Sequence, residues 1–268
     1  MAKPLYLVKI GGSVITDTTR ITTSRKGEIL RLVDEIIRAK EKGDFDLIIG
    51  NGGGSFGHII AKQYNVQEGL LSSESYRGAL MVHEAVSKLS SEIVDIALEK
   101  NFYLFPFAPS SFAYSRDRRI VEGDISPIRQ AIEKGFIPIV YGDTMIDSQR
   151  GVTIISTEEV FRFISMQMKP EKIIIGTEVD GVFDKNPDEN TDAKLVESIN
   201  SANIHSVLSS TDGAKKIDVT GGMKSKLSIL YEMVKSSNST GYIANANTPG
   251  VMEKLLLSQK VACTTVNP

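Results

Sequence analysis

Gly50-Asn51-Gly52-Gly53-Gly54-Ser55-Phe56-Gly57-His58 separates the apolar run Phe45 to Ile49 from Ile59-Ile60-Ala61-Lys62-Gln63-Tyr64, which reads as the opening of a helix. The continuous apolar run predicts a strand buried on both faces, as in a parallel sheet. Glycines between such a strand and a helix let the backbone turn tightly and approach a ligand closely. The helix N-terminus behind them offers unpaired N–H groups to an anion. The same turn also occurs with no ligand at all, so the surrounding chain has to decide between the two.

Upstream, Leu5 to Ile10 is a short β-rich run ending in Gly11-Gly12-Ser13, and Val14-Ile15-Thr16 is expected to resume the strand before the polar, flexible segment Asp17 to Ser24. Apolar residues at helical spacing from Ile29 to Ile37 predict a helix over Lys26 to Lys42, capped by Gly43. Downstream come a long helix at about Ser73 to Lys100, a strand over Phe102 to Phe107 with a loop at Ala108-Pro109-Ser110-Ser111, and a short helix over Ile128 to Lys134. The strand Ile137 to Tyr141 stops at Gly142-Asp143, and a hairpin follows with arms Met145-Ile146-Asp147 and Val152 to Ile155.

The second half begins with a helix over Glu158 to Met168 and a strand over Lys172 to Gly176 that opens onto the turn-rich loop Thr177 to Pro187. A weak element covers Ile204 to Leu208. Asp218-Val219-Thr220-Gly221-Gly222-Met223 leads into a helix over Lys224 to Val234, and Tyr242-Ile243-Ala244 and Cys263 to Val266 close the sheet. This alternation predicts an α/β fold, a three-layer αβα sandwich with a predominantly parallel central sheet, as a single domain over residues 1–268.

Bulk properties narrow the class of function. The 268 residues are 41% hydrophobic, 24% charged and 7% aromatic, an ordinary composition for a globular enzyme. A net charge of −2 argues against a nucleic-acid or membrane binder, which needs a concentrated basic surface. Cys263, the single cysteine, has no thiol partner for a disulfide or a zinc site, which fits a reducing cytoplasm. Met1-Ala2-Lys3-Pro4 runs straight into the first strand without the apolar core of a signal peptide, and no run reaches membrane-spanning length.

Lys9-Ile10-Gly11-Gly12-Ser13, Gly52-Gly53-Gly54-Ser55 and Thr220-Gly221-Gly222-Met223-Lys224-Ser225-Lys226 each stand beside a strand end or a helix start. In parallel sheets such loops gather at the carboxyl ends of the strands, where ligands bind. None of them is a Walker A loop or a Rossmann fingerprint. Lys9 sits where an ammonium reaches a phosphoryl group over bare backbone; Lys226 is one turn into the last glycine-led helix, where Lys224 competes for the role. Two lysines from opposite ends of the chain suit phosphoryl transfer, which needs positive charge around the equatorial and bridging oxygens. His83 and His205 lack ligand-like spacing and read as helix or surface residues, and no metal-ligating set is assigned.

Taken together, these loops with Lys9 to Asp17, Pro109-Ser110-Ser111, Tyr141-Gly142-Asp143, Asp180-Gly181-Val182-Phe183 and Asp218 to Met223 resemble the amino acid kinase family over nearly the whole chain. The form Gly-Gly-Gly-Ser-Phe-Gly-His resembles the branch whose acceptor is itself a phosphate or phosphonate. The resemblance implies that Lys9, Lys226, His58 and Glu158 are catalytic. It also implies that ATP is held by Lys9, Gly11, Gly12, Gly54, Glu178, Asp180, Asp184, Gly222 and Lys226, with Mg²⁺ bridging the phosphates, and that the acceptor lies on Gly53, Ser55, His58, Gly142, Asp143 and Thr157. The reaction it implies is phosphorylation of isopentenyl phosphate in a homodimer. The alternatives are another small phosphonate acceptor such as fosfomycin, which a polar lining on the long helix would favour, or a ligand-sensing homologue without turnover. Two positions depart from the family pattern. Thr18 stands where a second lysine is usual, with Arg20 or Lys26 as possible substitutes, and Ser156-Thr157-Glu158-Glu159 replaces Ser-Gly-Asp-Asp, so that Glu158 takes the place of an aspartate.

Overall fold

In the computed structural model, which describes residues 3–187, 189–210 and 222–268, the elements follow in the order β1 (Leu5–Ile10), α1 (Gly12–Ile15), α2 (Lys26–Lys42), β2 (Asp46–Asn51), α3 (Gly54–Gln63), α4 (Ser73–Glu99), β3 (Leu104–Phe107), α5 (Pro109–Phe112), β4 (Ala113–Arg116), β5 (Arg119–Gly123) and α6 (Ser126–Glu133). They continue with β6 (Ile137–Tyr141), β7 (Asp143–Asp147), β8 (Gly151–Ile155), α7 (Thr157–Met168), β9 (Lys172–Thr177), β10 (Ser198–Ile199), α8 (Ile204–Ser210), α9 (Gly222–Ser237), β11 (Thr240–Asn245), α10 (Val251–Leu256) and β12 (Cys263–Val266).

The main sheet has the order β10-β12-β11-β9-β1-β2-β6-β3. The six strands from β11 to β3 run parallel, while β12 reverses against β11 and carries β10 alongside in its own direction. Side chains alternate between faces along each strand. Tyr6, Val8 and Ile10 of β1 therefore join one core with α2, α3, α4 and α10, whereas Leu7 joins the other with α6, α7, α8 and α9. The predicted three layers and the mostly parallel sheet are thus both present.

Three local expectations change. Val14-Ile15-Thr16 does not resume the strand: the Val14 and Ile15 amides turn back to the Gly11 carbonyl at 3.1 and 3.3 Å, making the single helical turn α1. The helix after the second glycine loop starts at Gly54, not Ile59, so half of that loop is helix N-terminus. The loop expected at Pro109 is the helical turn α5. Asp218 to Gly221 of the third motif lie outside the described residues.

Beside the main sheet, β5-β4-β7-β8 form a second sheet of two hairpins. The β7–β8 hairpin matches the sequence pattern, but β4–β5 is new. One carboxylate ties the two together. Asp147 accepts hydrogen bonds from the amides of Asp117, Arg118, Gln149 and Arg150 and from the Ser115 hydroxyl, all between 2.9 and 3.1 Å. Burial opposes the charge, but these donors outweigh it and hold the carboxyl down at about 2. A second buried carboxylate acts at longer range. Glu35 of α2 accepts from the Gly250 and Met252 amides at 2.9 and 3.1 Å and so caps α10 from the far end of the sequence.

Because the folded Asp147 carboxyl lies below its unfolded value of 3.8, its stabilisation is present above that value and is lost as pH falls through about 2. Asp147→Asn should lower the unfolding free energy by about 2 kcal/mol at neutral pH. Urea melts of both proteins at pH 7 and pH 3 should show the gap shrinking to roughly half at the lower pH.

Candidate active site

The carboxyl ends of β1, β2, β6 and β9 bring Lys9, Asn51, Tyr141 and Thr177 to one edge of the sheet, in the register Lys9 to Gly50, Asn51 to Tyr141 and Lys9 to Ile175. Two glycine loops cross there, backbone against backbone. A Cβ on Gly12 would lie 2.3 Å from the Gly54 nitrogen, and one on Gly52 would lie 2.6 Å from the Gly12 nitrogen. Gly54 also has φ +49, a left-handed conformation that favours glycine, and a Cβ there would meet the Thr16 Oγ1 at 2.2 Å. Thr16 braces the crossing: its hydroxyl donates to the Gly12 carbonyl at 2.8 Å and accepts from the Ser55 amide at 3.1 Å. The glycines therefore answer first to each other, and the bare backbone they leave is what a phosphate can approach.

Lys9 reaches this crossing from beneath. Its Nζ lies 2.5 Å from Glu158 Oε1, and both side chains are almost wholly buried. Glu158 stands in the first turn of α7, where the helix N-terminus favours an anion. Burial alone would raise its pKa, but the charges of Lys9 and Lys226 outweigh it and hold the carboxyl below the usual range. Lys226, half-buried one turn into α9, thus acts on the same carboxylate as Lys9. Glu158, standing where the family pattern has an aspartate, is thus paired directly with Lys9 and feels the charge of Lys226 from the other end of the chain.

The neighbouring residue faces elsewhere. Glu159 accepts from the Ile120 amide at 2.8 Å and from Arg162 at 2.6 and 2.8 Å, with Arg119 at 3.2 Å. Arg119 in turn makes two bonds, 2.5 and 2.6 Å, to Glu232 of α9. Consecutive glutamates at the start of α7 therefore fix the lysine pair and lash the small sheet to the helix that carries Lys226.

Gly53, which precedes α3, and His58, in its second turn, are both half-buried. The Ser55 hydroxyl and the Asn51 side-chain amide are buried with no hydrogen-bond partner among the described residues. Groups of that kind call for a ligand or an ordered water. Gly142 adjoins the start of α7, 3.2 Å from the Thr157 amide by its virtual Cβ. Two expected acceptor ligands are otherwise employed. Thr157 donates its hydroxyl to the Asn51 carbonyl at 2.7 Å, and Asp143 is enclosed by three donors: His83 Nδ1 at 2.8 Å, the Ser110 hydroxyl at 2.8 Å and the Thr144 amide at 2.7 Å. Burial pushes the Asp143 carboxyl up, and those three donors oppose it.

His83 lies on α4, as expected of a helix residue, and its ring is in addition paired with the buried Asp143. The signal for it was the pair of polar positions His83 and Ser87, one turn apart beside the apolar stripe of α4; the Ser87 hydroxyl lies 3.2 Å from the Tyr141 hydroxyl.

Glu178 and Asp180 are exposed just beyond β9, with Asp180 accepting from Asn245 at 3.1 Å. Gly11 is pressed against the Gly176 carbonyl, and Gly222 opens α9 at φ +64. Asp184 accepts from the Lys194 amide at 2.9 Å within its own loop. Neither candidate substitute for the lysine missing at Thr18 is directed to the lysine pair by its bonds: Arg20 lies 3.7 Å from Asp17, and Lys26 lies 3.5 Å from Glu92.

The amino acid kinase family model matches residues 4–245. The isopentenyl phosphate kinase of Methanothermobacter thermautotrophicus is 34% identical, over 98% of this chain and 98% of its own length. That of Thermoplasma acidophilum is 31% identical over 91% of this chain and 93% of its own. Among solved structures, an isopentenyl phosphate kinase superposes with a TM-score of 0.85 at 30% identity, covering 98% of this chain and 100% of that one.

Removing the shared counter-charge leaves Lys9 buried and uncompensated. Glu158→Gln should lower the unfolding free energy at pH 7 by about 3 kcal/mol, read from urea midpoints. The folded carboxyl is depressed, so the wild-type advantage should persist above the ordinary glutamate value of 4.5 and decline as pH falls below it.

Proposed function

The chain belongs to the amino acid kinase family and is a phosphotransferase, and from that premise we propose that it transfers the γ-phosphoryl group of ATP to isopentenyl phosphate, giving isopentenyl diphosphate and ADP. The observation that carries this reading is the buried Glu158 carboxylate, paired with Lys9 and held below the usual range by the charges of Lys9 and Lys226, at the sheet edge where Gly12 and Gly54 cross.

An oxygen of the acceptor phosphate forms a bond to the γ-phosphorus as the bond from that phosphorus to the β,γ-bridging oxygen breaks, and the electron pair leaves with ADP. The nucleophile is already anionic at neutral pH, so no general base is required. Lys9 and Lys226 stabilise the charge spread over the transferring group, and the Gly12 and Gly54 amides meet it over bare backbone. Glu158 keeps the two ammonium groups at a fixed separation. Gly53, Ser55 and His58 hold the acceptor phosphate, with His58 orienting it through a charge-assisted hydrogen bond.

Glu178, Asp180 and Gly222 face the nucleotide from the β9 and α9 ends, so the second half of the chain, from β9 onward, is the nucleotide half of one domain and the first half takes the acceptor. Mg²⁺ entering with ATP would offset the charge of its phosphates. The same reading makes the enzyme a cytoplasmic homodimer; no described helix is long and apolar enough to cross a membrane.

One observation favours a second acceptor class. The edge of α4 that faces β6 and β7 carries His83 and Ser87, a polar lining that suits a small phosphonate such as fosfomycin.

ADP release measured with isopentenyl phosphate, fosfomycin and several amino acids as separate acceptors tests the assignment. Turnover is expected with isopentenyl phosphate, and ATP binding without turnover of any acceptor would sink it. His58→Ala should raise KM for the acceptor far more than KM for ATP; equal effects on both would refute the role given to His58.

A further inference from the structure

We propose that His83 is a specificity-determining residue for the acceptor, held in place by Asp143 and Ser110; the proposal rests on the phosphotransfer reading above. Helix α4 walls the second glycine loop directly. A Cβ on Gly53 would lie 3.0 Å from a Val86 methyl, and one on Gly57 would lie 3.2 Å from the same methyl. His83 precedes Val86 by three residues, which places it about one turn, or about 4.5 Å along the axis, from the group that touches the loop. An acceptor whose phosphate rests on Gly53 and His58 therefore has the outer oxygens of that phosphate within reach of the His83 ring, whichever tail follows.

The imidazole is built in rather than adrift. Nδ1 lies 2.8 and 3.1 Å from the two Asp143 oxygens, and that carboxylate is fully buried and also bonded by Ser110 and Thr144. The His83 side chain itself is 40% exposed. One edge of the ring is thus anchored in the protein while the side chain as a whole stays partly open to solvent. A carboxylate that fixes one ring nitrogen and so aims the other is a common device for making a histidine a ligand contact. Ser87 and Tyr141 extend the polar edge by a further turn of α4. The carboxylate expected to bind the acceptor therefore acts one step removed: Asp143 is a positioning residue, and His83 makes the contact.

Steady-state kinetics of the full chain, with isopentenyl phosphate varied at saturating ATP and ATP varied at saturating acceptor, test this. His83→Ala should raise KM for isopentenyl phosphate at least about tenfold and leave KM for ATP within about twofold. Asp143→Asn should move the same constant in the same direction by a smaller factor. Because Asp143 acts through His83, the double variant should be no worse than His83→Ala alone, a non-additivity that a merely structural role would not produce. Should His83→Ala not fold, His83→Leu, which restores volume without a ring nitrogen, is read in the same way. An unchanged KM for the acceptor, an equal rise for both substrates, or additive effects in the double variant would overturn the proposal. Absence of turnover by the unaltered chain would instead overturn the phosphotransfer reading, and this proposal with it.

Discussion

A buried carboxylate with two lysines around it is the constraint on which the active edge depends. Lys9 and Glu158 are 149 residues apart in sequence and 2.5 Å apart in space. An ammonium group out of water is costly unless it is paired, and Glu158 offsets that cost for Lys9 while its own charge is favoured by Lys9 and Lys226 together. The sheet supplies the geometry: β1 delivers Lys9 to its carboxyl end, and α7 starts where Thr157 is fastened to the end of β2. Charge needed in the transition state is thus already assembled in the folded chain, which is the sense in which an electrostatic site is preorganised.

The same helix start couples the site to the rest of the molecule. Glu158 looks toward the phosphoryl lysines, and Glu159 looks toward Arg119, Arg162 and the Ile120 backbone. Through Arg119 and Glu232 the small sheet is bound to α9, and through Asp147 its two hairpins are bound to each other. Asp143, which opens β7, anchors His83 at the near end of that hairpin. Helices α4 and α9 are therefore braced by carboxylates as well as by apolar packing.

Much of this was legible in the sequence because it is local. The β1 and β2 runs, the stripe of α2 and the long α4 follow from periodicity, and Lys9 stood out through the glycines beside it. What escaped depends on distant partners. The hairpin of β4 and β5 buries little beyond Ser115 and Ile120, and it is held by Asp147, some thirty residues on. Helix α10 is short and takes its cap from Glu35, 217 residues before Met252. His83 and Asp143 are 60 residues apart, and neither lies in a glycine loop. Val14 and Ile15 misled for a different reason: β-branched residues suggest a strand, but their amides had a carbonyl within reach at Gly11.

The crossing of Gly12 and Gly54 limits how such a protein can change. With each glycine lying where the other's side chain would go, no single substitution at either place is absorbed by a rotamer shift, because the obstacle is main chain. Change is open instead along the flank of α4, where the partly exposed His83 and Ser87 can be replaced. The glycine crossing is closed to stepwise variation, and the flank beside it is open.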